Sequence, residues 1–302
     1  MQPTKTKKEW EIEFKKIYIQ ILKKQISFDE LIVQNEMLLN QFKSEYTIDN
    51  NSIEFLPAYF NFIECFLAQN KTDEVKKYLI VGLTNLLNAS KKKTSNNNIN
   101  FSDNEEITKK LLQSRLDLLF GRFNILTRAP ANETVDKITS SIITFSEIFG
   151  PENVGLTPQY YYLAEYFLDY SDIEEKKERM KRIIVKKLYS KIADNWKNYF
   201  MGNSGSMFME DDNNTDLTLA IGETFVKNIS NRIANVFPRD SEIELDLKFK
   251  LIRCVILKKN KSAFADQAQS NAIEFQNRVE DKILDKDFIT DMNEIINYAS
   301  DE

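Results

Sequence analysis

The side chains best placed to do chemistry are charged, and they cluster by sign. Lys176, Lys177, Arg179, Lys181, Arg182, Lys186, Lys187 and Lys191 form the densest basic run. Such a run has two readings. One is an electrostatic contact to an acidic protein surface, carried by Lys176, Lys177, Lys181 and Arg182. The other is a solvated helix face neutralised by Glu174, Glu175 and Glu178 through pairs three and four residues apart. Glu210, Asp211, Asp212 and Asp216 gather in an acidic segment. A calcium loop alternates its ligands, with Gly at the sixth position and Glu at the twelfth, and neither falls in register. The chain has no histidine and two cysteines, Cys65 and Cys254. That excludes catalysis through an imidazole base, the usual zinc hydrolase site and a structural zinc cluster. With no glycine-rich phosphate loop either, the chain reads as non-catalytic, with no cofactor and no metal.

The elements that carry these residues read as helices. Of 302 residues, 42% are hydrophobic, enough for a sizeable core, and only 7 are Gly and 6 Pro. An all-β chain needs a turn about every 8–12 residues, and turns use Gly and Pro. A net charge of −5 disfavours nucleic acid as a partner. No apolar run approaches the roughly 18 residues of a membrane span, and the polar Met1–Trp10 stretch lacks a signal-peptide core. The expectation is a cytoplasmic protein that meets neither nucleic acid nor membrane.

Trp10, Phe14, Ile17 and Ile21 predict a helix over 4–24. Ser27 and Glu30 form a capping box that opens a second helix, with Glu30 reaching back to the cap. Tyr59, Phe62 and Phe66 then lie on one helix, and Val75, Leu79 and Gly82 on a returning one. This is the tetratricopeptide order: large residues at positions 4, 7 and 11 and a small one at 8 on the first helix, then small residues at 20 and 27 and a large one at 24 on the second. Ile63 departs from it, since a small residue is usual there. Tyr160, Leu163, Ala164 and Phe167 repeat the first half, and Val185, Tyr189 and Ile192 the second. The interval between these halves is about nine residues too long, and the charged 173–181 segment supplies the excess. A third, looser pair opens at the Ser241–Glu244 capping box and ends in Ala265, Ala268 and Ala272.

Pairs of this kind bury their faces by stacking, so the fold class is all-α, an α-solenoid of degenerate tetratricopeptide-like helix pairs. Residues 1–50 form N-terminal helices, 51–275 the array and 276–302 a C-terminal helix. Polar loops are expected at 91–104 and 201–216. In such an array Phe60, Glu64, Tyr161 and Glu165 face the inner groove. Either a partner segment lies there or another helix of the same chain does. Trp10 and Trp196 read as packing residues.

The stretch Phe149-Gly150-Pro151-Glu152-Asn153-Val154-Gly155-Leu156-Thr157-Pro158 and the aromatic helix Gln159–Ala164 resemble one tetratricopeptide family. It is the ciliary family named for a MYND-type zinc finger, whose algal member is a subunit of inner-arm dynein d. Ile184–Ile192 with Trp196 is similar to the family's following helix, and Ser262–Phe275 to a later Ala-rich helix. The resemblance spans roughly residues 30–275, with 149–196 its specific part. The zinc finger is absent here. The resemblance implies a structural subunit of the ciliary axoneme that helps dock a single-headed inner dynein arm to the doublet microtubule. It further implies a second tetratricopeptide subunit and a dynein heavy chain as partners, with tubulin as another. The alternative is an adaptor of a different intracellular complex. An adaptor that captures acidic C-termini needs a basic groove, whereas the groove positions here are Glu and aromatic.

Overall fold

A computed structural model describes residues 4–46, 52–95, 103–169 and 175–200, and scattered positions between 217 and 232. The expected third pair (241–275), the 201–216 loop and the C-terminal helix lie outside these. Every element among the described residues is helical. The chain divides into two compact units, Met1–Pro151 with Phe208–Ile221, and Glu152–Met207 with Gly222–Glu302.

In the first unit, α1 spans Lys7–Lys23 and α2 Phe28–Glu45. A capping box starts α1, with Thr6 accepting from the Glu9 backbone and Glu9 accepting from the Thr6 backbone. Before α2, Ser27 accepts from the Glu30 N–H at 3.2 Å, which is the forward half of the expected box. A 3-10 turn, Ile53–Phe55, leads into α3, Leu56–Ala68, with Pro57 in its first turn. Proline fits there because the first-turn N–H groups have no intrahelical acceptor. Asn70, at φ 57°, turns the chain into α4, Thr72–Ser95. Then come α5, Asp103–Leu126, and α6, Ala131–Phe149. Helix thus claims both ends of the expected 91–104 loop, because Lys91–Ser95 contains no helix breaker.

Successive helices pack on one another in sequence order, and the first helices α1, α3 and α5 also pack together. That is the contact pattern of an α-solenoid built of helix pairs. Tyr59, Phe62, Phe66, Val75 and Leu79 are all buried as the repeat spacing predicts. A methyl group on Gly82 would stand 3.2 Å from the Leu116 side chain, so its smallness admits α5. Phe42 anchors the core, with Trp10, Phe14, Tyr46 and Phe55 rings 5.3–6.3 Å away in tilted and edge-on arrangements. Two buried amides tie three helices together. Asn61 donates to the Phe14 carbonyl (2.9 Å) and to Asn35 (3.2 Å), and Asn35 donates to the Ala58 carbonyl (2.9 Å). The N-terminal helices therefore share one core with α3.

In the second unit, a 3-10 turn, Val154–Leu156, leads into α7, Thr157–Asp169, and α8 runs Glu175–Phe200. The charged excess expected near 173–181 falls mostly in the start of α8, which makes the second helix the longer one. Ala164, Val185, Tyr189 and Ile192 are fully buried. Trp196 donates to the Thr157 hydroxyl at 2.8 Å, and a methyl group on Gly222 would overlap its ring at 1.7 Å. Trp10 and Trp196 are both buried packing residues.

Candidate interaction surfaces

Phe60 and Glu64 lie on the face of α3 that meets the neighbouring first helices. Phe60 is fully buried. The Arg115 guanidinium from α5 lies 5.3 Å over its ring and 4.3 Å over Tyr18 of α1, a cation–π sandwich. Glu64 is 3% exposed and accepts from the Arg122 guanidinium of α5. Burying a carboxylate is costly unless a cation is buried with it. Helices of the same unit thus cover this stretch of the groove. That is one of the two arrangements the sequence allows, and it makes Phe60 and Glu64 packing residues.

Tyr161 and Glu165 occupy the equivalent positions on α7. Tyr161 sits 5.2 Å from Phe225 and 5.2 Å from Tyr162, edge-on to both. Glu165 accepts from the Tyr189 hydroxyl at 2.9 Å and faces Arg232 Nε at 3.4 Å. Arg232 also donates to Asp169. Burial pushes the Glu165 carboxyl above its ordinary range, outweighing the Tyr189 hydrogen bond and the Arg232 charge. Burial, and next the Glu165 charge, push the Tyr189 hydroxyl well up.

The two units therefore share a device. Glu64–Arg122 and Glu165–Arg232 each join the first helix of a pair to a downstream helical arginine. Their entry turns match as well. Asn85 of α4 donates to the Ser52 carbonyl at 2.9 Å, and Asn195 of α8 donates to the Asn153 carbonyl at 3.1 Å. Sequence reasoning did not single out Asn85, Asn195, Arg122 or Arg232. The signal was present: aligning Tyr59 with Tyr160, then Val75 with Val185, also aligns Asn85 with Asn195 and Arg122 with Arg232.

Lys176, Lys177, Lys181 and Arg182 fall in the first turns of α8, where side-chain positions lie outside what the structure describes. Further along the same helix, Lys191 lies 3.7 Å from Glu152. That ion pair ties α8 to the turn before α7 and is a partly exposed contact of small energy.

The first unit also holds a cleft of about 800 Å³ between the starts of α1 and α5 and the end of α4. Trp10, Phe14 and Leu112 line it. Its rim mixes signs, with Lys7 paired to Glu54 and Lys110 to Glu106. Cys65 is buried, and burial pushes its thiol up to about 12, which removes it from thiolate chemistry. Among the described residues, no three His, Cys, Asp or Glu side chains gather as a metal set. No described helix is long and apolar enough to cross a membrane.

No family model matches the chain, and no curated protein matches it significantly.

Proposed function

We propose that this chain is a non-catalytic scaffold subunit of the ciliary axoneme that helps hold a single-headed inner dynein arm on the doublet microtubule. Its partners in this reading are a second tetratricopeptide subunit and the arm's heavy chain, with tubulin reached through the basic start of α8. The observation that supports the scaffold is the repeated packing device. Glu64–Arg122 and Glu165–Arg232 recur at equivalent places, so these carboxylates hold helix to helix. What supports the ciliary assignment is the stretch 149–196. Within it, the Val154–Leu156 turn, α7 and α8 pack together, with Asn195 on Asn153 and Trp196 on Thr157.

Fractionation of motile cilia tests the assignment. The chain is expected in the high-salt extract of demembranated axonemes, co-sedimenting with an inner-arm heavy chain. Recovery only in the cell-body cytosol would overturn it, and would leave the adaptor of another complex as the reading.

A further inference from the structure

Arg122 and Arg232 each pair with a glutamate of the inner groove. Arg115, on the same helix as Arg122, is held differently. Its guanidinium lies 4.3 Å from the Tyr18 ring centroid and 5.3 Å from that of Phe60. Among the described residues it has no ion pair, and its Nη2 is buried with no acceptor. The two rings attract the charge, but the N–H groups still want lone pairs. The residue as a whole stays partly exposed.

Packing alone does not ask for a cation at this place. Counting back seven residues from the equivalent Arg122 and Arg232 sets Arg115 against Phe225. Phe225 is buried, and its ring lies 5.2 Å from Tyr161, the equivalent of Phe60. The second unit fills the position with an aromatic ring. The first unit fills it with a charge and leaves that charge unpaired.

The cleft of the first unit lies one turn away. Phe14 of α1, Pro57 of α3 and Leu112 of α5 line it. Tyr18, Phe60 and Arg115 follow them by three or four residues, on the same faces. That is a rise of about 5 Å. Long helical side chains lean toward the helix N-terminus, which carries the Arg115 head toward the cleft. On the rim, Lys7 is spent on Glu54 and Lys110 on Glu106.

We infer that Arg115 is a carboxylate-binding residue, and that the cleft beside it takes a partner peptide in which an apolar side chain is followed by Asp or Glu. The apolar side chain sits in the cleft and the carboxylate reaches the guanidinium. A guanidinium edge offers two parallel N–H groups, which a carboxylate matches oxygen for oxygen. One cation balances one charge. A phosphate dianion would leave a charge over, with the buried Glu64 one turn beyond Phe60. The inference does not rest on the ciliary assignment.

Titration calorimetry of the purified full chain tests it. The probes are short peptides, acetylated and amidated so that only side chains carry charge, with Leu before Glu and roughly one to three serines between them. At least one is expected to saturate below about 1 mM. Replacing its Glu by Gln, or its Leu by Ser, should weaken it at least fivefold. Arg115→Phe places the second unit's residue in the first and should weaken it at least tenfold, with circular dichroism checking that the variant is folded. No saturable binding by any of the peptides overturns the inference. So does a peptide that binds equally with Gln, one that ignores folded Arg115→Phe, or tighter binding when phosphoserine replaces the Glu.

Discussion

Asn195 donates its side-chain amide to the Asn153 carbonyl at 3.1 Å, just as Asn85 does to the Ser52 carbonyl at 2.9 Å. In each case a buried amide on the second helix of a pair fixes the turn that begins the first. The Asn153 turn is buried and the Ser52 turn partly so, and a carbonyl withdrawn from water needs a donor. These contacts make the pair a closed unit: the chain enters, turns, returns and is bonded to its own entry.

Replacing either amide should cost stability locally. Asn85→Ala or Asn195→Ala leaves a carbonyl unpaired, at about 1–3 kcal/mol. Asn85→Asp should cost more, because a carboxylate cannot donate and adds buried charge. The chain's 2 tryptophans make this readable unit by unit, since Trp10 belongs to the first and Trp196 to the second. With Trp196→Phe as background, urea unfolding followed by fluorescence should move for Asn85 variants and not for Asn195 variants. With Trp10→Phe the pattern should reverse.

The Glu64–Arg122 pair is almost wholly buried, at 4% and 14% side-chain exposure. Arg122→Met strands a buried carboxylate and should cost on the order of 3–5 kcal/mol. Adding Glu64→Leu should recover most of that loss, since an apolar pair fills the space without an unpaired charge. Denaturant midpoints of the two single variants and the double variant measure the coupling. A double variant as unstable as Arg122→Met would contradict the assignment.

Close approach of α5 and α6 depends on Gly121. A methyl group there would come within 2.5 Å of the Ile138 side chain. Beside it, Ser114 donates to the Ser141 carbonyl at 2.8 Å, and Lys137 pairs with Asp117 at 2.8 Å. Gly121→Ala should destabilise by about 1–3 kcal/mol. The same change should cost less in an Ile138→Ala background, and thermal unfolding of the four chains checks it.

Glu165 gives the second unit a pH dependence. Its carboxyl titrates above the ordinary 4.5, with burial the main cause. The folded unit therefore holds the proton more tightly than the unfolded chain does. The resulting stability is fully present below the unfolded value and is lost as pH rises through the folded one. Tyr189, Arg232 and Asp169 are the other groups at the site. Glu165→Gln still accepts from Tyr189 and cannot ionise. The stability of wild type relative to this variant, read at Trp196, should fall as pH rises above about 4.5. A difference that is flat or rises would contradict it.

Much of the fold was legible because repeat spacing reports on packing. Tyr59, Phe62, Phe66, Val75 and Leu79 were placed in the core by spacing alone, and all are buried. Ile63 broke the rule for small residues and is nonetheless fully buried. What spacing cannot report is the identity of the opposite wall. Phe60 and Glu64 point where the pattern says, but Arg115 and Arg122, more than fifty residues downstream, meet them there. Nothing in a single helix announces that partner. The buried Asn35–Asn61 pair was invisible for a related reason. Polar residues on an apolar face read as interruptions until the carbonyls they satisfy are seen.

We propose above that this helix-pair scaffold belongs to a single-headed inner dynein arm. Cryo-electron tomography of axonemes from cells lacking the chain tests it most directly. Density should be missing at the base of one single-headed inner arm in each axonemal repeat, and the wild-type chain should restore it. An unchanged set of inner arms, in cilia shown to lack the protein, would contradict it.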